Sequence, residues 1–152
     1  MPFGAAFANA LGLHIFNNAD LANVGDAAGL QEAATVGVVY LALHTAITGD
    51  DAGDTQATNE CTYTGYARQS KARATGAGGI TVAGTVCTIA ELVSFGLCTV
   101  GTESATHVSF GFAAAGAGLI YCYGALPAPI VIAPGINPSL AAGSKITLKA
   151  VA

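Results

Sequence analysis

The sequence predicts a mainly β protein, an antiparallel β-sandwich or jelly-roll-like domain with an N-terminal helix. Three observations carry this. Short apolar runs of period two recur from about residue 36 onward. Gly- and Pro-rich breaks such as "AAAGAG" and "APGINP" separate them at turn-like spacing. A sustained apolar stripe at helical spacing occurs only in the first eighteen residues. The chain has 152 residues, a length that fits one domain. The reading is a single domain over 1–152, with 1–18 as a helix or arm and 36–152 as the β domain.

Phe3, Phe7, Ala10, Leu11, His14 and Ile15 fall at helical spacing and form one apolar stripe that ends at Asn17-Asn18. The Gly-, Ala-, Asn- and Asp-rich stretch "ADLANVGDAAGLQEAATVG" that follows reads as a short helical turn and a loop, then the start of a strand. In "GVVYLALHT" both alternating faces are apolar, as for a strand covered on both sides. "ECTYTGYARQSKARA" reads as a long polar-aromatic strand, with Gly65 marking a bulge or bend. "GGITVAGTVCTI", "ELVSFGLC", "HVSFGFAAA", "LIYCYGAL", "PIVIA" and "SKITLKAVA" read as further strands. About eight such strands fit a sandwich or jelly roll.

Charged residues are 9% of the chain, against about 25% in an ordinary soluble domain. Mean hydropathy is +0.58. An exterior with so little charge does little to resist association, which predicts that other subunits cover much of it. A bilayer span is not expected. The uncharged segment Ser104–Ser144 is interrupted by Pro127, Pro129, Pro134 and Pro138. The N-terminus lacks the basic region of a signal peptide, so synthesis in the cytoplasm is expected. Residues 1–60 hold seven acids and no Lys or Arg, whereas residues 61–152 hold all five bases and two acids. The net charge of −4 speaks against nucleic-acid binding, which needs a basic surface.

No chemistry-bearing motif stands out. Cys61, Cys87, Cys98 and Cys122 form no CxxC pair and have no His at zinc-ligand spacing. They read as reduced thiols packed like small hydrophobes. His44 runs into the acidic loop of Asp50, Asp51 and Asp54, but "DDAGDTQATNE" lacks the ligand spacing of a calcium loop. The expectation is a strand end followed by a solvated acidic turn. Neither a nucleophile elbow nor a metalloprotease helix motif is present, and "GAGG" is followed by a strand, so it offers no helix N-terminus to a phosphate. Glu91 and Glu103 are available as a carboxylate pair, without a Trp platform beside them. The sequence therefore predicts no enzyme, no catalytic residue, no metal and no cofactor. Arg68 stands among Tyr63, Thr64 and Tyr66. It reads as an intramolecular tie to an acid, or as an interface anchor of the Tyr/Arg kind. The candidate interface residues are Phe3, Phe7, Leu11, Tyr63, Tyr66 and Arg68.

The blocks "LANVGDAAGL", "VVYLALHTA", "ECTYTGYARQ", "ATHVSFGFAAAGAGLIYCYGAL" and "PIVIAPGINPSLAAGSKITL" occur in that order. In this the chain resembles a group of small tailed-bacteriophage virion proteins, often labelled phage structural or tail fibre proteins. It departs from them in having no Trp in "GGITVAG" and in having Phe95-Gly96 in place of a Phe-Pro step. The resemblance implies virion assembly, not catalysis. On that basis the leading expectation is a capsid decoration, or cement, protein on the capsid exterior. Its partners would be the major capsid protein and copies of itself, as dimer or trimer, with no nucleic acid and no membrane. The alternative is a tail, tail-tip or tail-fibre component. A long repeat or coiled-coil stalk would mark a complete fibre, and the sequence has neither.

Overall fold

The computed structural model describes residues 3–148. The described residues form one helix, α1 (Ala5–Asn17), and nine strands: β1 (Val38–His44), β2 (Gln69–Ala72), β3 (Ile80–Ala83), β4 (Val86–Ile89), β5 (Val93–Ser94), β6 (Glu103–Gly111), β7 (Ile120–Ile132), β8 (Ser139–Leu140) and β9 (Lys145–Thr147). The fold is mainly β, with antiparallel sheets and one N-terminal helix, the class the alternating runs predict. The strands form three sheets, of order β2-β1-β6-β7, β3-β4-β9 and β5-β8. The chain divides into two compact units. One takes the chain up to Val38, Lys71–Leu92 and the chain from Ala141 onward; the other takes Val39–Ser70 and Val93–Leu140.

In the first unit α1 packs on β3. The helix ends where Asn18 turns left-handed, at φ 52°, a conformation Asn accepts more readily than most residues. Asn17 Nδ2 donates to the Ile80 carbonyl at 2.6 Å, and Arg73 Nε donates to the Ile15 carbonyl at 2.8 Å. The buried face of α1 is Ala8, Gly12 and Phe16. This differs from the Phe3/Phe7/Leu11 stripe that spacing alone predicts. The reason is close approach. A Cβ on Gly12 would stand 2.8 Å from Leu148 Cδ1 and 3.3 Å from Val82 Cγ1, so the smallest residues face the sheet. Phe3 and Phe7 turn outward, their rings 5.4 Å apart, and Leu11 is half-buried. "GGITVAGTVCTI" is a hairpin, not one strand. β3 and β4 pair from Ile80↔Ile89 to Ala83↔Val86, and Gly84 at φ +60° starts the two-residue turn.

The second unit is organised around β1 and β6, which pair from Tyr40↔Gly111 to His44↔His107. Val39, Leu41, Ala42, Leu43 and His44 are fully buried, so β1 is covered on both faces as its sequence predicts. β6 also pairs with β7, from Glu103↔Ile132 to Gly111↔Ile120. Here "LIYCYGAL" and "PIVIA", expected as separate strands, form one strand of 13 residues. Ala105↔Ile130 and His107↔Ala125 bracket a bulge that takes up Leu126–Pro129. Pro127 and Pro129 thus sit where no ladder N–H is required.

The long strand expected over "ECTYTGYARQSKARA" shortens to β2, with only isolated bridges at His44↔Glu60 and Thr64↔Val100 before it. Two glycines account for the break. Gly65 and Gly96 have φ +105° and +95°, and a Cβ on either would lie about 2 Å from a carbonyl oxygen of the other segment: 2.1 Å from Leu97 O for Gly65, 2.0 Å from Gly65 O for Gly96. Both glycines leave the extended conformation, so the two segments keep only scattered bonds, such as Thr64 N–H to the Val100 carbonyl at 2.9 Å and Ala67 N–H to the Phe95 carbonyl at 3.1 Å. Proline, fixed near φ −65°, could not replace Gly96 in this conformation.

Candidate functional site

The residues singled out in "ECTYTGYARQ" converge in the second unit, around a buried ion pair. Arg68 donates to both oxygens of Glu60, Nε to Oε1 and Nη2 to Oε2, each at 2.6 Å. Its side chain is 1% exposed and that of Glu60 is 15% exposed. Tyr66 Oη donates to Glu60 Oε1 at 2.9 Å and accepts from the Leu43 N–H at 3.0 Å. The guanidinium continues outward. Nη1 donates to the Ala113 carbonyl at 3.0 Å and Nη2 to the Gly116 carbonyl at 2.7 Å. Arg68 is therefore an intramolecular tie, to an acid of its own segment and to the loop 112–119. Those bonds to Glu60 hold its guanidinium further above its ordinary pKa, against the opposing effect of burial. Burial, with the Glu60 charge beside it, pushes the Tyr66 phenol well above its usual range.

Tyr63 is buried too. Its Oη donates to the carbonyls of Phe95 and Gly96 at 3.0 and 3.1 Å. Its ring meets Tyr66 edge-on at 5.4 Å, and Tyr66 stacks on Phe95 at 6.3 Å. Burial raises the Tyr63 phenol to about 12. Of the six candidate interface residues, the structure brings Tyr63, Tyr66 and Arg68 into one network. Phe3, Phe7 and Leu11 lie on α1 or next to it in the first unit.

Gln56 belongs to the same network, and nothing in its sequence neighbourhood marks it. It is fully buried. Its Nε2 donates to the Tyr40 carbonyl at 3.0 Å, its Oε1 accepts from the Ala113 N–H at 3.2 Å, and its own N–H donates to the Gly118 carbonyl at 2.8 Å. Gly111 and Gly118 make room for it. A Cβ on Gly111 would lie 2.3 Å from Gln56 Cδ, and one on Gly118 would lie 2.7 Å from Oε1. The loop "FAAAGAGL" is thus fastened from beneath by two buried polar side chains. Above them Phe112 and Leu119 are 54% and 61% exposed.

His44 lies apart from the acids it precedes. It is fully buried; Nδ1 donates to the Thr58 carbonyl at 2.8 Å, which leaves Nε2 to accept from Ser109 Oγ at 2.7 Å. Burial lowers its pKa. Serine and histidine stand side by side here, but both are fully buried, so this pair offers no nucleophile to a substrate in this conformation. Asp50 and Asp51 are exposed, and Asp54 Oδ2 accepts the Gly49 N–H at 2.8 Å. Glu103 accepts from the N–H and Oγ1 of Thr62. Among the described residues no group of three or more His, Cys, Asp or Glu side chains could hold a metal ion. No helix among them is long and apolar enough to cross a membrane.

What this geometry displays is an apolar surface above a hydrogen-bonded network. Large exposed apolar groups, including Phe112, Leu119, Tyr121 and Val131, rest on a stiffened β scaffold. Residues 13–148 match the family described as Podophage GP4 fiber I protein gp80. The chain belongs to that family. It is a structural protein of a phage virion, as the order of its sequence blocks implies. No curated protein and no solved structure matches it.

Proposed function

We propose that the chain is a fibre component of the virion, working as a structural subunit that binds neighbouring subunits. The family match over 13–148, to a family described as a fibre protein, carries this reading. The exposed apolar groups and the scarcity of charge support it, because such a surface gains by being covered. In this reading the chain acts by binding alone, with no catalytic step, metal or cofactor, and contacts neither nucleic acid nor membrane. Each contact adds a modest stabilisation, at about 25 cal/mol per Å² of apolar surface removed from water, and repeated copies add avidity.

The second reading is the capsid decoration protein, bound to the major capsid protein on the shell exterior. The observation that favours it is the absence of any sequence repeat or coiled-coil stalk. Quantitative mass spectrometry of purified particles separates the two. A few copies per particle, set by the symmetry of a tail or fibre attachment, supports the fibre component. A copy number comparable to that of the major capsid protein replaces it with the decoration reading.

A further inference from the structure

Segment 45–59 leaves the end of β1 and returns at Glu60 without forming a helix or strand. It packs against the second unit's sheet. A Cβ on Gly49 would stand 2.6 Å from Tyr123 Cδ1, and the Thr58 carbonyl meets the His44 ring. Its hold is polar. Only Thr48 and Gln56 within it are buried, and Ala46, Ile47, Ala52 and Ala57 are exposed. A segment that buries no large apolar side chain opens more cheaply than the strands beneath it.

His44 is one of the groups that hold this segment down. Its Nδ1 donates to the Thr58 carbonyl at 2.8 Å and its Nε2 accepts from Ser109 Oγ at 2.7 Å. The second bond needs a neutral ring. A proton on Nε2 turns that acceptor into a donor, and the Ser109 hydroxyl must then aim its own hydrogen elsewhere. The charged neighbours do not offset the cost. His44 is paired with His107 on β6 and bridged to Glu60 on its other side. Glu60 favours the proton, but its carboxylate is already bonded to Arg68 and Tyr66. Arg68 and His107 oppose the proton, and burial opposes it most. On the segment itself Asp50 and Asp51 are exposed, and Asp54 bonds to Gly49. Thr58 belongs to the segment and Ser109 to the ladder, so Thr58 is the partner that can leave.

We propose that His44 is an acid-sensitive latch: as the pH falls, a proton on its ring releases segment 45–59 from the sheet, while β6 and β7 stay paired. Such a latch belongs to the fold and does not depend on the fibre assignment. Above about pH 6.5, the usual imidazole value, the ring is neutral in the closed and the open form, and the latch is shut. Below it the open form takes the proton more readily. Each further pH unit then raises the open fraction by up to about tenfold, until the closed form is protonated too.

The test follows amide hydrogen exchange in the full chain by NMR between about pH 7 and pH 5, each rate divided by that of an unstructured chain at the same pH. This window lies above the range near 4 where carboxylates ordinarily titrate. The Thr45 and Gln56 amides, bonded to the Asn59 and Gly118 carbonyls, are expected to lose protection by about three- to tenfold per pH unit below pH 6.5. Amides of the β6–β7 ladder are expected to keep theirs. His44→Gln offers a donor and an acceptor without a titrating ring and is expected to abolish the acid response, whereas His107→Gln is expected to retain it. A wild type without an acid response overturns the latch, as does an equal response in His44→Gln. A parallel loss in the β6–β7 ladder overturns it too, because the whole unit is then unfolding. If His44→Gln does not fold, the ring signal of His44 in the wild type decides. Its protonation must coincide with the opening, and a ring that takes its proton while the segment stays closed overturns the latch.

Discussion

Replacing Arg68 by methionine removes the guanidinium while keeping much of the side-chain volume. Glu60 loses two charge-assisted bonds of 2.6 Å, and the carbonyls of Ala113 and Gly116 lose their donors. Removing one member of a buried ion pair costs about 3–5 kcal/mol, because the other charge is stranded. The Glu60 side chain retains 15% exposure and still accepts from Tyr66, and water can reach the exposed Gly116. These features place the expected loss near the lower end, about 3 kcal/mol. For a domain of this size that lowers the melting temperature by about 6–12 °C. Arg68→Met/Glu60→Gln removes the stranded charge and leaves an acceptor for Tyr66. It is expected to recover about 1–2 kcal/mol relative to Arg68→Met, and Glu60→Gln alone completes the double-mutant cycle that gives the coupling energy. Urea unfolding followed by circular dichroism measures all four proteins. A loss below about 1 kcal/mol for Arg68→Met, the range of an exposed pair, would refute the buried clamp. So would strict additivity of the two substitutions.

Two further outcomes follow from burial. His44 is held neutral because its folded pKa lies below the unfolded value near 6.5. Below about pH 6.5 the unfolded chain binds a proton that the folded chain refuses, so stability falls as the pH drops, until the folded pKa is reached. His44→Gln is expected to remove up to one proton of that dependence, about 1.4 kcal/mol per pH unit; equal pH slopes for variant and wild type in urea titrations would contradict it. The thiols of Cys61 and Cys87 are raised by burial, to about 12 and about 11. At pH 8 the native chain is therefore expected to resist iodoacetamide at both positions, read by mass spectrometry, and to react there only after denaturation; rapid native labelling would show that the sites are open.

β1 was legible because every residue from Val39 to His44 except Tyr40 is fully buried, and apolarity on both alternating faces signals that. Arg68 as a tie to an acid was legible in part, since Glu60, Tyr66 and Arg68 lie within one short segment. Its second set of partners was not, because backbone carbonyls at Ala113 and Gly116 leave no mark in a sequence of small residues. Gln56 was missed for the same reason. The signal it did leave is Gly111 and Gly118, whose missing side chains admit it. The helix face was misplaced because a close helix–sheet contact selects Ala8 and Gly12, which an apolar stripe search passes over. The continuity of β7 was hidden by prolines that look like breaks and lie in a bulge.

A fibre component has to be found in the phage particle, on the structures that project from it. Labelling purified virions with an antibody fragment against the chain and imaging them by electron microscopy tests it most directly. Label is expected on projecting fibres, at few sites per particle. Label spread evenly over the head would contradict the fibre assignment, and particles without label or peptide from this chain would contradict the virion role.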